Sequence, residues 1–371
     1  MRVGINLRPK ERTGSGRVHQ EIVVRLLGLQ IEPDRVERVT VFCFGLRDAR
    51  PDWLPPQVDY TRPKLFGRVQ QLLNRKAALP VEWLFPLHRP DVIHTFNMEF
   101  FRTSCPLVGT ILDVSWRHFP STHESFVSKE FVRSAEELIA RASHLHVISQ
   151  TTADDLIAGG VPSRCITVSR LGVDARFREV QREDRDRARK RYSLPEEFLL
   201  YVGAINVRKN FAFLAAALDA LAKPVPLVAA GPIPPDGLEH WGYKPGKMLH
   251  LGFVPEEDLP ALYSCATALV IPSTFEGFGL PLVEAMAAGT PVIASDIAVF
   301  REVGGDVPVY FNPFELDSLK NAIVRVLGDE NLRKQMSSAG VAHSRPFDWD
   351  RCAEGVVEAY RQALRPAESR K

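Results

Sequence analysis

Short apolar runs and amphipathic stretches alternate along almost the whole chain, and this alternation restricts the fold more than any other feature. Strand-like MRVGINL leads through the loop RPKERTGSG into amphipathic RVHQEIVVRLLGL. Apolar runs recur at RVTVFCFG, DVIHTF, PLVGTILDV and HLHVISQ, with helical stretches such as KEFVRSAEELIARA between some of them. A second series begins after SRLGVDARF and the charged run REVQREDRDRARKRYSL. Its strands are EFLLYVGA, VPLVAAG, MLHLGFV, ALVIPS, PVIASD and PVYFN; its helices are NFAFLAAALDALA, EEDLPALYSCA, PLVEAMAAG, AVFREVG and ELDSLKNAIVRVLG. Such alternation predicts parallel sheets covered by helices. At 371 residues the chain exceeds one ordinary core, so the two series predict two doubly wound α/β domains.

Apolar residues at 45%, charged residues at 25% and a formal charge of +2 describe a globular protein with no pull toward nucleic acid or an acidic polymer. Cys43, Cys105, Cys165, Cys265 and Cys352 are odd in number and lack ligand spacing, which argues against a disulfide framework or a zinc site and for reduced thiols in a cytosol. No apolar run reaches the roughly 18 residues of a membrane span, and MRVGINLRPKERTG lacks a signal-peptide core. A cytoplasmic protein, soluble or peripheral to a membrane, is expected. The stretch KLFGRVQQLLNRKAALPVEWLF, residues 64–85, mixes Leu65, Phe66, Val69, Leu72 and Leu73 with Lys64, Arg68, Arg75 and Lys76. It suits either an inward-packed stripe or peripheral contact with an anionic bilayer.

The segment FEGFGLPLVEAMAAGTPVIASD, residues 275–296, carries the clearest chemistry. It joins two strands through a helix marked by Pro281 at its start and Gly289 at its end. Gly277 and Gly279 can free backbone amides at the helix N-terminus, where partial positive charge favours an anion. Glu276 and Glu284 would repel a bare phosphate, so they need hydroxyl groups to accept from. A diphosphate flanked by two polyols satisfies both demands, which describes a nucleotide sugar. Positive charge comes from YVGAINVRKNFAFL, where Gly203 ends a strand and Arg208 and Lys209 precede a helix. A guanidinium fork and a mobile ammonium suit phosphate oxygens and the charge that builds on a leaving nucleotide.

These motifs, G-x-x-x-x-R-K-N from Gly203, H-L-G-F-V from His250 and E-G-F-G-L-P-x-x-E-A-M-A-x-G-T-P-V-I-A-S from Glu276, resemble those of glycosyltransferase family 4. The resemblance covers essentially the whole chain. It implies the GT-B fold, two facing Rossmann-like domains with a cleft between them, and a retaining, metal-independent transfer of a hexose such as mannose to an acceptor hydroxyl. The implied catalytic set is Glu276 at the donor sugar with Arg208 and Lys209 at the diphosphate. Implied donor contacts are Gly203 before the basic loop, Phe253 and Val254 near the base, Gly277, Phe278, Gly279 and Leu280 around the helix start, and Glu284 at the ribose. No cofactor is implied, because the cations and amides take a metal's role.

In the first half, TGSGRVHQEI resembles the family's glycine loop through Gly14 and Gly16. The segments around Ser149 and Asp174 resemble those leading into a hinge, and RPFDWDRCAEGVVEAYRQAL resembles a helix that crosses back to the first domain. The implied partition is an acceptor domain over residues 1–172 with 347–371, and a donor domain over 173–346. His94, Asp113 and Ser149 are acceptor or cleft candidates, although His94, like His19 and His118, reads more readily as structural or merely polar. Where many relatives carry His-Asp near the transferred sugar, this chain has Leu112-Asp113. Asp184-Arg-Asp186 and Asp348-Trp-Asp350 mimic a D-x-D metal motif but sit in helical or terminal segments, so no metal is assigned to them. The acceptor is expected to be a glycan, a lipid-linked glycan or a small precursor. Relatives with R-K-N often use GDP-mannose and others UDP- or dTDP-sugars. A sugar-nucleotide epimerase and a non-catalytic donor-binding subunit are the competing readings. No motif reads out the linkage or the oligomeric state.

Overall fold

A computed structural model of the chain describes residues 1–7, 14–29, 35–44, 49–62, 79–119, 129–232, 241–242 and 247–365. The basic stretch from Lys64 through Lys76 lies outside them. Contacts divide the chain into two units, Met1–Gly172 with Trp349–Lys371, and Val173–Asp348.

The first unit contains β1 (Arg2–Asn6), α1 (Gly14–Leu26), β2 (Arg38–Phe42), β3 (Asp59–Thr61), α2 (Val81–Leu84), β4 (Val92–Thr95) and β5 (Leu107–Ile111). It continues with α3 (Ser115–His118), α4 (Lys129–Arg141), β6 (His144–Val147), α5 (Gln150–Ala158) and β7 (Ile166–Val168). The second unit holds α6 (Arg182–Tyr192), β8 (Leu199–Val202), α7 (Phe211–Asp219), β9 (Leu227–Ala230), β10 (Met248–His250), α8 (Leu259–Cys265) and β11 (Ala268–Ile271). After these come α9 (Leu280–Ala287), β12 (Val292–Ser295), α10 (Ala298–Gly304), β13 (Val309–Phe311), α11 (Leu316–Gly328) and α12 (Glu330–Ser344); α13 (Trp349–Leu364) belongs to the first unit.

Both sheets are parallel, ordered β3-β2-β1-β4-β5-β6-β7 and β10-β9-β8-β11-β12-β13. Central strands such as LVGTI of β5 and ALVI of β11 are buried throughout, which is why they read as unbroken apolar runs rather than as alternations. Strand order reverses between β1 and β4 in one sheet and between β8 and β11 in the other. At such points the loops leaving adjacent strands diverge and open a crevice beyond the carboxyl ends, where ligands of doubly wound folds bind.

Helix α13 covers the first sheet. Its buried stripe Trp349, Cys352, Ala353, Val356, Val357, Tyr360 and Ala363 recurs at helical spacing and packs on β4 through β7 and on α1. Beneath it runs a line of buried polar groups. Tyr360 pairs with His94 Nδ1 at 2.8 Å, His94 Nε2 with Thr110 at 2.7 Å, Thr110 with His146 Nδ1 at 3.0 Å, and His146 Nε2 with Ser169 at 2.5 Å. Ser169 Oγ in turn donates to the Cys352 carbonyl at 3.3 Å. A carbonyl only accepts, so every donor in the line points from Tyr360 toward Cys352, and both imidazoles are neutral Nε2–H tautomers. Burial, aided by the neighbouring His144, pulls His146 down to about 3, and burial with His146 and His19 nearby holds His94 well below the ordinary histidine value.

Candidate active site

The second sheet reverses between β8 and β11, and the loops that leave these two strands are locked together. Arg208 follows β8; its carbonyl accepts from Thr274 N at 2.9 Å, and its Nη1 donates to the Phe275 carbonyl at 2.8 Å. Lys209 N donates to Asn206 Oδ1 at 3.0 Å, which folds the loop before α7. Asn210 caps that helix from the left-handed region at φ 54°, a conformation asparagine tolerates, and its side chain donates to the Pro313 carbonyl.

These restraints bring three charged side chains to one point. Arg208 Nη1 lies 2.9 Å from Glu276 Oε2, Lys209 Nζ lies 2.5 Å from Glu276 Oε1, and Ser273 Oγ donates to Oε1 at 2.7 Å. Glu276 is 9% exposed, Lys209 15% and Arg208 24%. Burial alone would raise the Glu276 carboxyl. The Lys209 ammonium, the Arg208 guanidinium and the hydrogen bonds from Lys209 and Ser273 overcome it and hold the group at about 2. The carboxylate is therefore ionised at any pH where the protein would work, and it is a weak base.

Glycine backbones make room for the cluster. Lys209 lies over Gly203, whose Cβ position is 3.7 Å from Lys209 Cε. Gly203 N donates to the Ala230 carbonyl at 2.9 Å, and Gly231 N donates to the Gly252 carbonyl at 2.8 Å. Gly203, Gly231 and Gly252 thus follow three neighbouring strands, all with positive φ. On the β11 side, Gly279 caps α9 at φ 97° and abuts the Phe300 ring, so a side chain there would be excluded twice over. Gly277 is buried but is not among the positive-φ glycines, so of this pair only Gly279 uses the conformation reserved for glycine.

The remaining donor candidates are placed unevenly. Glu284, in the second turn of α9, is 3% exposed and accepts from the Tyr263 hydroxyl of α8 at 3.0 Å. Its Oε2 is thereby tied to α8, on a helix that is apolar nearly all round and buries that face. Phe253 is 53% exposed beyond β10, whereas Val254 is buried. Phe278 is buried edge-on against Phe347, and Leu280 is half-buried.

In the first unit, His94 and Ser149 are both buried and paired within their own unit. His94 is fully buried with both ring nitrogens paired under α13, and Ser149 is the buried cap of α5, accepting from Thr152 N at 3.1 Å. Both were drawn toward a site by side-chain type, but unpaired polar groups are costly inside a sheet, and each is spent on satisfying its surroundings. Asp113 is half-buried and accepts from Ser115 N at 2.9 Å at the start of α3. Gly14 opens α1 with nothing within 4 Å of its Cβ position, and Gly16 lies in the first turn of that helix. His118 faces Asp155 at 3.3 Å, and His19 is buried. Sequence reasoning missed Ser273, Asn206, Tyr263 and Gly231. The first two carry a local signal, a polar side chain three residues before the group it holds, while Tyr263 and Gly231 become partners only through the tertiary fold.

Comparison with known proteins bears on the whole chain. Residues 183–343 match the family described as glycosyl transferases group 1, and residues 22–177 match glycosyltransferase family 4. The chain belongs to the group 1 glycosyltransferases. Within this family it is 28% identical to the O-antigen chain mannosyltransferase B of Escherichia coli, over 94% of this chain and 96% of that protein. It is also 28% identical to the serotype-specific mannosyltransferase WbdA of the same organism, over 65% of this chain but only 31% of that longer protein. Anabaena Alr3699/HepE, crystallised with UDP-glucose, superposes with a TM-score of 0.74 at 19% identity, covering 97% of this chain and 99% of that one. The group 1 glycosyltransferase described here therefore has the GT-B fold.

Proposed function

We propose that this glycosyltransferase moves a hexose, mannose first among the candidates, from a nucleotide sugar to a hydroxyl of a glycan, with retention at the anomeric carbon and without a metal. The observation that carries the reading is the convergence of Arg208, Lys209 and Glu276 at the switch point of the second sheet. A diphosphate seated beside Arg208 and Lys209 would find a fork and a point charge for its oxygens, already in place before charge develops on the leaving group. That pair supplies what a divalent cation would otherwise supply. Glu276 can accept from sugar hydroxyls. Held near 2 and tied by Ser273, Lys209 and Arg208, its carboxylate is poorly suited to attack carbon or to take a proton. This supports departure and attack on one face of the sugar, without a covalent glycosyl-enzyme. Mannose and a glycan acceptor are carried over from the Escherichia coli relatives, an O-antigen chain mannosyltransferase and a serotype-specific mannosyltransferase, which does not favour the epimerase or non-catalytic readings.

A panel of nucleotides and nucleotide sugars screened by thermal shift tests the donor, since a ligand at 100 times its dissociation constant stabilises by roughly 2.7 kcal/mol. NMR of the glycosylated product tests retention, and an inverted anomer overturns it. Arg208→Ala should lower kcat by roughly 10²–10³; transfer undiminished in that variant removes the proposed role of the cluster. Full activity in excess chelator is expected.

A further inference from the structure

The Glu276 carboxylate occupies the same cations that the diphosphate is proposed to use. One carboxylate against Arg208 and Lys209 leaves the cluster at a single net positive charge rather than two. The anion cannot swing aside freely, since Ser273 holds one oxygen and the Arg208 guanidinium bridges the other oxygen to the Phe275 carbonyl. The backbone is pinned as well, through Thr274 on the Arg208 carbonyl. Glu276 is thus a fixed negative charge built into an anion site.

We infer that Glu276 acts as a charge filter, letting a doubly esterified diphosphate dwell at Arg208 and Lys209 while weakening the hold on the free diphosphate left after transfer. The inference rests on the reading under Proposed function and concerns the release half of the same cycle. In a nucleotide sugar each phosphate carries one negative charge. Loss of the sugar exposes a terminal phosphate with a further ionisation near pH 6, so the product carries an extra charge at neutral pH. Two unopposed cations would welcome that charge. With Glu276 between them, the extra charge develops beside a buried carboxylate, where low dielectric strengthens the repulsion. The hydroxyl groups that would compensate Glu276 in the donor have also left with the sugar. Both effects favour donor over product at one residue.

Titration calorimetry of the full chain with inorganic pyrophosphate, at pH 8 and low salt, tests the filter without knowledge of base or sugar. Glu276→Gln should bind pyrophosphate on the order of tenfold more tightly than the wild type. Ser273→Ala keeps the charge and should not tighten binding. Glu276→Gln combined with Arg208→Gln restores the wild type's net charge and should bring the affinity back. Unchanged or weaker binding by Glu276→Gln, with circular dichroism of a folded protein, overturns the inference. If that variant does not fold, the wild type decides: whichever nucleotide sugar gives the largest thermal shift in the panel must bind at least as tightly as the nucleoside diphosphate of the same base, and the reverse order overturns the filter. Absence of transfer with every nucleotide sugar would instead sink the functional reading, a result separate from the pyrophosphate titration.

Discussion

Gly231 stands directly against the backbone of Gly203: a Cβ on Gly231 would lie 2.7 Å from the Gly203 carbonyl carbon and closer still to its oxygen. Gly203 in turn lies under Lys209, so the ends of β8 and β9 support the charged cluster through bare backbone. Gly231→Ala must push the β8 loop away and is expected to cost roughly 2–4 kcal/mol, measured by chemical denaturation, with a larger proportional loss of donor binding. A variant as stable as the wild type would contradict the close approach.

Gly14→Ala should behave in the opposite way. Nothing surrounds its Cβ position, it opens a helix, and it has no positive φ, so the substitution should stabilise by about 0.4–1 kcal/mol. If transfer nevertheless falls while the melting temperature rises, Gly14 touches ligand rather than supporting the fold.

Glu276 gives a signed prediction in acid. Its folded-state value of about 2 lies below the ordinary 4.5, so its stabilising effect is complete above about pH 4.5 and lost as pH falls through 2. Denaturation of wild type and Glu276→Gln across that range should show the gap between them narrowing toward pH 2. At neutral pH the gap should reach roughly 3–5 kcal/mol, the range for leaving a buried charge partner uncompensated. A gap that stays constant with pH refutes the ion pairing.

The line from Tyr360 to Cys352 predicts acid sensitivity of another kind. Its histidines are neutral when folded and protonate more readily when unfolded, so the stability they contribute is present above pH 6.5 and lost as pH falls below it, for His146 down to about 3. Tyr360→Phe removes the only donor that His94 Nδ1 can accept from in this directed line, at a cost of about 1–3 kcal/mol, and should leave donor affinity intact by calorimetry. An equal loss of donor affinity would mean that His94 acts on the ligand after all.

Tyr263→Phe isolates the role of Glu284. Loss of the buried hydroxyl should destabilise by about 1–3 kcal/mol. If Glu284 also holds ligand, KM for the donor should rise while kcat changes little; an unchanged KM would leave Glu284 a purely structural acceptor.

The doubly wound folds were legible because buried parallel strands such as ALVI and LVGTI are apolar from end to end and are punctuated by helices of opposite pattern. The loops bearing Arg208 and Glu276 were legible because a charged residue beside glycine at a strand end has few structural uses. Their direct pairing was not. Sequence reasoning sent cation and carboxylate to different parts of one ligand, whereas in adjoining buried loops the opposite charges pair directly. The partners of His94 and Ser149 were illegible for a related reason, since residue type announces hydrogen-bonding capacity but not what satisfies it. The Tyr360 partner of His94, 266 positions along the chain, has no local signature at all.

Helix α13 covers β4 through β7 and comes after the whole of the second unit in the chain. During synthesis, then, the sheet that emerges first waits with one flank uncovered, its histidines lacking the tyrosine that orders them, until more than 170 further residues have left the ribosome. A chain cut short just before Trp349 would carry a finished second unit and an unfinished first one, an imbalance that quality-control proteases can detect as exposed apolar strand surface.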